Sequence, residues 1–365
     1  MRVSARPLPQ PRPELAKLAA YRTAQQIKAD VRIHANEWPE PNPAGRYISA
    51  DELERVLLNR YPGRGDELRE ILAARWGVEP DDLIIANGSN EVLLQVFLVF
   101  GGHARKTLLF HPTYSMHGRL AETAGGTVAV DVVGLPYELR KERALAAMER
   151  ERPHIVVFTT PNNPTGNTID EDVIVAVAER YPETLVLVDE AYSDFAGTTI
   201  VPRMAALPNV VVSKTFSKVL AAAGLRVGVL IVRPELMRYF AAAALPYSVS
   251  TLTLAVAARI ARDEESIRRR VALATRERAR VADALGRVPA IETYPSVTNF
   301  ILFRLHEGTP AEIHAKFLEQ SVLIRDISMW PGCEGCLRVS IGTPSENDRF
   351  IAALETVFAA PAARR

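Results

Sequence analysis

Seven lysines stand among 44 basic residues in this 365-residue chain, so a lysine where arginine would not serve carries information. A primary amine can bond covalently to a carbonyl carbon, whereas a guanidinium stays protonated and cannot. Lys214 and Lys218 each follow a serine in the run Ser213-Lys-Thr-Phe-Ser-Lys-Val-Leu-Ala-Ala-Ala-Gly-Leu-Arg226-Val-Gly228. Other groups with chemistry of their own lie upstream. Asp189 ends the run Leu185-Val-Leu-Val188, Tyr192 follows three residues later, Asn163 lies in Pro161-Asn-Asn-Pro-Thr-Gly166, and Tyr114 lies in His111-Pro-Thr-Tyr-Ser-Met116. Asn87-Gly-Ser-Asn-Glu91 leads from an apolar run into a helical pattern over 92–100. Its backbone amides would therefore sit at a helix N-terminus, a natural seat for an anion.

These groups match what an aldehyde cofactor such as pyridoxal phosphate needs. An amine would bond the aldehyde, the Asp189 carboxylate would face a protonated ring nitrogen, and Asn163 and Tyr192 would lie at the same ring edge. Tyr114 offers an aromatic face. For the phosphate there are the amides around Gly88, Ser89 and Asn90, the hydroxyls of Thr215 and Ser217, and the bidentate cation of Arg226. Alone, Asp189 reads as a helix cap and Gly88-Ser-Asn90 as a common turn. Their joint order gives them weight.

The elements that must position these residues show in the apolar pattern. Short apolar runs at 82–87, 106–111, 127–133, 154–160, 184–189, 209–213 and 227–232 alternate with helical stretches. That alternation indicates an α/β fold: a mostly parallel seven-stranded sheet covered by helices on both faces, with ligands at the carboxyl ends of the strands. The proline-rich residues 1–45 read as an arm that lies on something else. Residues 46–250 read as the large domain, and 251–365 as a connecting helix over roughly 253–287 and a smaller α+β unit with strands near 299–305, 321–325 and 337–341.

The order Asn-Gly-Ser, Pro-Thr-Tyr, Asn-Asn-Pro-Thr-Gly, Asp-Glu-Ala-Tyr and Ser-Lys, with an arginine eight residues after the lysine, closely resembles the fold-type I pyridoxal-phosphate aminotransferases. Within them the chain is most similar to the histidinol-phosphate aminotransferases. That similarity rests on Ala20-Tyr-Arg-Thr-Ala-Gln25, Ala35-Asn-Glu37, Asn59-Arg-Tyr-Pro62, Ile324-Arg-Asp326 and Gly335-Cys-Leu-Arg-Val339. The resemblance implies that Lys218, rather than Lys214, forms the Schiff base, with Asp189 at the ring nitrogen and Asn163 and Tyr192 at the phenolic oxygen. It implies Tyr114 stacked on the ring, and Gly88, Ser89, Asn90, Thr215, Ser217 and Arg226 around the phosphate. Tyr61 would reach that phosphate from a second subunit, which implies a homodimer in which the arm also contributes across the interface. Arg338 would grip the acidic end of the substrates, with Arg325, Tyr21 and Asn36 helping. Two positions depart from the family's frequent pattern: Asn90, where aspartate is common, and Trp38 ahead of a proline.

The implied reaction moves an amino group between L-histidinol phosphate and 2-oxoglutarate. Alternatives are an aromatic or broad-specificity aminotransferase, or a decarboxylase of phosphorylated amino acids. A transcription regulator with this domain would need a DNA-binding unit, for which no room is expected before Tyr21. A net charge of +1, with 48% hydrophobic and 24% charged residues, gives no reason to expect nucleic acid or a membrane as partner. Cys333 and Cys336 lack companion ligands, so they read as loop thiols and no metal is expected. With no apolar leader in residues 1–20, a cytoplasmic protein is expected.

Overall fold

Each of the seven apolar runs forms a strand of one sheet. Numbered in chain order, with β1 at Val31–Arg32, they are β2 (Leu83–Ala86), β3 (Lys106–His111), β4 (Thr127–Val132), β5 (Ile155–Thr159), β6 (Leu185–Asp189), β7 (Val210–Thr215) and β8 (Gly228–Ile231). In the computed structural model, which describes residues 12–16, 18 and 27–359, they order as β2-β8-β7-β6-β5-β3-β4. Among them β8 runs antiparallel to both neighbours, and the other pairs are parallel.

Successive side chains of a strand point to opposite faces, and here both faces are buried. Val186 and Val188 of β6 join one apolar core with Val210 and Val212 of β7, while Leu185 and Leu187 join a second with Val211. Covering both faces demands continuous apolar runs rather than alternation.

The stretch expected as one helix over 253–287 is two helices, Thr251–Arg262 and Glu264–Gly286. Asp263 divides them, because its carboxylate accepts from the Ser266 amide (3.1 Å) and caps the second helix instead of continuing the first. The first of the two packs on the helix Asp66–Trp76, and its Val256, Ala257 and Ile260 join the core of the large sheet.

A second sheet, antiparallel, is formed by β9 (Ile291–Thr293), β10 (Phe300–Leu305), β12 (Arg325–Asp326) and β13 (Cys336–Ser340) in the order β12-β13-β10-β9. The strand expected near 321–325 is shared between two sheets: β11 (Val322–Leu323) pairs in parallel with β1, and β12 pairs with β13. Strands as short as β1 and β9 leave no periodicity to read. β1 nevertheless decides where the arm goes. The Ile33 amide donates to the Leu323 carbonyl (3.0 Å), and the Ser340 amide donates to the Ile33 carbonyl (2.8 Å). Those bonds carry Asn36 to the ends of the large-sheet strands. Among the described residues, no helix is long and apolar enough to cross a membrane.

Candidate active site

Thr159, Asp189 and Thr215 end the adjacent strands β5, β6 and β7, and all three line a cavity of about 310 Å³. The helix start after β2 brings Ser89 and Asn90 to it, the loops after β3 and β5 bring Tyr114 and Asn163, and Tyr192, Ser217, Lys218 and Arg226 complete the large-sheet side. The arm contributes Asn36, and the small sheet contributes Arg325 and Arg338. Of the remaining positions singled out from sequence, Gly88 abuts Arg226. Tyr21 lies outside the described residues.

The two serine-preceded lysines have different surroundings. Lys214 is buried and donates to Glu190 Oε2 (2.6 Å) and Ser193 Oγ (3.0 Å). Glu190 also accepts from the Ile200 amide (2.7 Å) and the Thr199 hydroxyl (2.6 Å), so both of its carboxylate oxygens are engaged. Lys218 lines the cavity, where its Nζ donates to the Asn36 carbonyl (3.1 Å) and lies 5.4 Å from the centre of the Tyr192 ring. Asn36 is the hub of this region. It adopts a left-handed φ of 55°, which asparagine tolerates. Its side-chain NH2 donates to the Tyr192 hydroxyl (2.9 Å), and its side-chain Oδ1, distinct from the backbone carbonyl that Lys218 meets, accepts from Ser340 Oγ (2.8 Å).

Asp189 is buried, and its two oxygens have separate partners. Oδ1 accepts from the Ala191 amide (3.1 Å), and Oδ2 lies 2.9 Å from His117 Nε2. His117 is fully buried, and its ring meets Tyr114 edge-on at 5.4 Å. Sequence reading gave it no role. The available signal was spacing, since His117 stands three residues after Tyr114, one helical turn along. Burial and the neighbouring His117 hold His111 below the usual histidine range.

The anion cradle is built on bare backbone. Gly88 precedes the helix Ser89–Phe100 with φ 87°, and a Cβ there would lie 2.2 Å from Arg226 Nη2. The first amides of a helix have no intrahelical acceptors and carry partial positive charge. Arg226 itself takes a left-handed φ of 57° and donates to the Ala223 carbonyl (3.0 Å) and Ser217 Oγ (3.4 Å). Among the described residues it has no carboxylate partner. At the departure, Asn90, the side-chain oxygen accepts from the Tyr114 hydroxyl (3.2 Å), a bond that an aspartate could also accept. Trp38 packs near the buried Arg270 and donates to Glu40, away from the cavity.

At the opposite end, Arg325 and Arg338 are direct partners across the antiparallel pair β12 and β13. Directly opposed residues share a face with Cβ atoms about 4.5–5.5 Å apart, and like charges there repel. Such a pair suits an anion between them. Arg338 is buried and donates to Asn163 Oδ1 and to the His34 carbonyl. Because a guanidinium only donates, the Asn163 oxygen must face it, which leaves the Asn163 NH2 as a donor to whatever fills the cavity.

Tyr61 does not line the cavity of its own chain. It is 81% exposed and stacks on Tyr247 with ring centres 4.5 Å apart; Leu57, Leu58 and Leu245, close to one or the other in sequence, are exposed as well. Cys333 and Cys336 are free and buried, and burial pushes both thiols up. No cluster of three or more potential metal ligands occurs among the described residues.

The arrangement therefore combines an accessible amine, a buried carboxylate held by a histidine, a bare helix start beside Arg226, and two arginines directly opposed at the cavity. Residues 37–354 match the family model "Aminotransferase class I and II". A histidinol-phosphate aminotransferase of Corynebacterium efficiens is 38% identical over 358 residues, covering 94% of this chain and 93% of the relative. One from Aquifex aeolicus is 32% identical, covering 93% and 96%. The crystal structure of histidinol-phosphate aminotransferase from Sinorhizobium meliloti in complex with pyridoxal-5'-phosphate superimposes with a TM-score of 0.83 at 23% identity, covering 96% of this chain and 98% of that one. The seven-stranded sheet, the cavity at its carboxyl ends and these matches lead to one conclusion: the chain belongs to the class I and II aminotransferases.

Proposed function

We propose that the chain is a pyridoxal-phosphate-dependent histidinol-phosphate aminotransferase of histidine biosynthesis. It would convert L-histidinol phosphate and 2-oxoglutarate reversibly to imidazole acetol phosphate and glutamate. The observation that carries this reading is the Arg325–Arg338 pair in the cavity that also holds Lys218 and Asp189. Histidinol phosphate has no carboxylate and glutamate has no phosphate, so one site must take either anion, and guanidinium forks fit both. The names of the relatives support the same reading.

The residues present suit pyridoxal phosphate, because the Arg226 guanidinium closes on Gly88 where any side chain would block it. Gly88, Ser89, Asn90, Thr215, Ser217 and Arg226 would hold the phosphate, Tyr114 one ring face, Asp189 the ring nitrogen, and Asn163 and Tyr192 the phenolic oxygen. When bound, the cofactor supplies an electrophilic aldehyde and a cationic ring that withdraws electrons from the substrate α-carbon. Lys218 provides the amine that bonds the aldehyde. Lys218 Nζ would then serve as the base that takes the proton from the substrate α-carbon and later gives it back. Asp189, fixed by His117 and the Ala191 amide, would keep the ring nitrogen protonated. Arg338 and Arg325 would hold the anionic end so that the α-hydrogen faces Lys218, with Asn36 and, by the resemblance, Tyr21 helping to bind the substrate.

The exposed apolar surface around Tyr61, Leu58 and Leu245 supports a homodimer in which Tyr61 reaches the partner's phosphate cradle and the arm lies across the interface. The protein would work in the cytoplasm. Steady-state kinetics test the reading: kcat/KM for histidinol phosphate should exceed that for phenylalanine, and Arg325→Gln should raise KM for histidinol phosphate more than for glutamate. Equal kcat/KM for the two amino donors in the wild type would refute it.

A further inference from the structure

We infer that Trp330 is a specificity-determining residue whose indole forms the wall against which the flat ring of the amino donor packs. The inference rests on the function proposed above and concerns the same site. Trp330 lines the cavity together with Arg325 and Arg338. It stands in the loop that joins the two strands carrying those arginines, β12 and β13.

The loop is built to hold that ring still. The amide of Trp330 donates to the Ile327 carbonyl, that of Cys333 to the Trp330 carbonyl, and that of Cys336 to the Cys333 carbonyl, each at 2.9 Å. These are three successive four-residue turns, each sharing its end residue with the next. Ile327, Cys333 and Cys336 anchor them in a small buried cluster with Tyr137 and Tyr294, and Trp330 packs against it half-buried. One side of the indole is thus backed by apolar atoms, and the residue still borders the cavity. Tyr137 also ties the loop to the large-sheet side, donating its hydroxyl to the Gly332 carbonyl (2.9 Å). Gly332 needs its left-handed φ of 85°, and a Cβ there would press on Pro112 Cδ at 3.2 Å. The Cys-x-x-Cys spacing acquires a meaning in this setting: two small apolar anchors, one turn apart, with thiols that burial keeps protonated.

The chemistry of the two half-reactions says what such a wall is for. Both substrates present an anion to the arginines, so the arginines alone discriminate weakly between them. Histidinol phosphate carries an imidazole ring and glutamate carries none. A rigid aromatic face stabilises only the ring-bearing partner, by stacking and, for a protonated ring, by cation–π attraction.

The test compares Trp330→Ala and Trp330→Phe with the wild type as full-length holoenzymes, measuring both half-reactions. Trp330→Ala should raise KM for histidinol phosphate about tenfold, equivalent to ~1.4 kcal/mol, with glutamate kinetics unchanged, and Trp330→Phe should recover most of the loss. An equal loss in both half-reactions, or none in either, overturns the inference. The wild-type preference between histidinol phosphate and phenylalanine is read separately. Should phenylalanine be the better donor, the proposed function falls, while the inference stands or falls on whether Trp330→Ala harms phenylalanine more than glutamate. A measurement without turnover uses tryptophan emission, since Trp330 is one of three tryptophans. Histidinol phosphate should change the emission of the wild type and leave that of Trp330→Phe flat; an unaltered response in the variant overturns the inference.

Discussion

Replacing Gly228 by alanine should weaken cofactor binding from a strand that supplies no ligand to it. Gly228 opens β8, paired with Ala86 of β2 and Thr215 of β7. A Cβ at this position would lie 2.4 Å from the carbonyl carbon of Gly88 and 2.4 Å from the amide nitrogen of Ser89, against an ordinary contact of 3.4–4 Å. Both atoms are backbone, so no side chain can swing away. The Gly88–Ser89 peptide must move by about 1 Å, and forcing an extra methyl into a packed site costs roughly 1–3 kcal/mol. β8 is hydrogen-bonded on both sides, so the Gly88–Ser89 turn, at the head of its helix, is the part that yields. If that turn cradles the cofactor phosphate, the cost appears as affinity lowered about 5- to 150-fold, at ~1.4 kcal/mol per tenfold. Absorbance titration of pyridoxal phosphate into cofactor-free protein measures it, alongside thermal melts. Gly224→Ala is the control, because nothing lies within 4 Å of its added Cβ. Wild-type affinity in a Gly228→Ala variant whose melting temperature has fallen would show that the glycine serves the fold and that the turn does not hold the phosphate.

The two lysines should fail in opposite ways. Lys214→Met strands the buried Glu190 carboxylate and should cost about 3–5 kcal/mol in denaturant unfolding while leaving the cofactor's visible absorbance in place. Lys218→Ala should abolish that absorbance with little change in stability, and the reverse pattern would exchange their roles. His117→Phe removes a hydrogen bond to the Asp189 carboxylate and should lower kcat about 10- to 100-fold, the worth of one bond to a charged group. An unchanged kcat in a folded, cofactor-saturated His117→Phe variant would refute the positioning role given to that histidine.

Much of the fold was legible because of how the large sheet is buried. Strands covered on both faces must be apolar throughout, so seven short apolar runs stood out in the chain. The helical stretch after 250 was legible as helix but not as two, since Asp263 acts through one side-chain bond to Ser266 that leaves the composition unchanged. β1 and β9 were invisible for lack of length, and the split between β11 and β12 depends on partners distant in sequence. At the site, sequence order assembled the residues after strand ends, because in a parallel sheet every such loop opens at one edge. It did not single out His117, whose importance comes from a 2.9 Å approach to Asp189 across 72 positions, or Trp330, which matters through the cavity that it borders.

By itself, then, the sequence determined the sheet, the strand ends and the residue types gathered there, because burial and turn chemistry act over a few neighbouring positions. The tertiary structure decided which lysine lines the cavity and which one an ion pair consumes. It also decided that Arg325 and Arg338 face each other, and that Asn36 of the arm bridges Tyr192, Lys218 and Ser340. Those outcomes depend on register and on contacts between segments far apart in the chain, which local pattern does not encode.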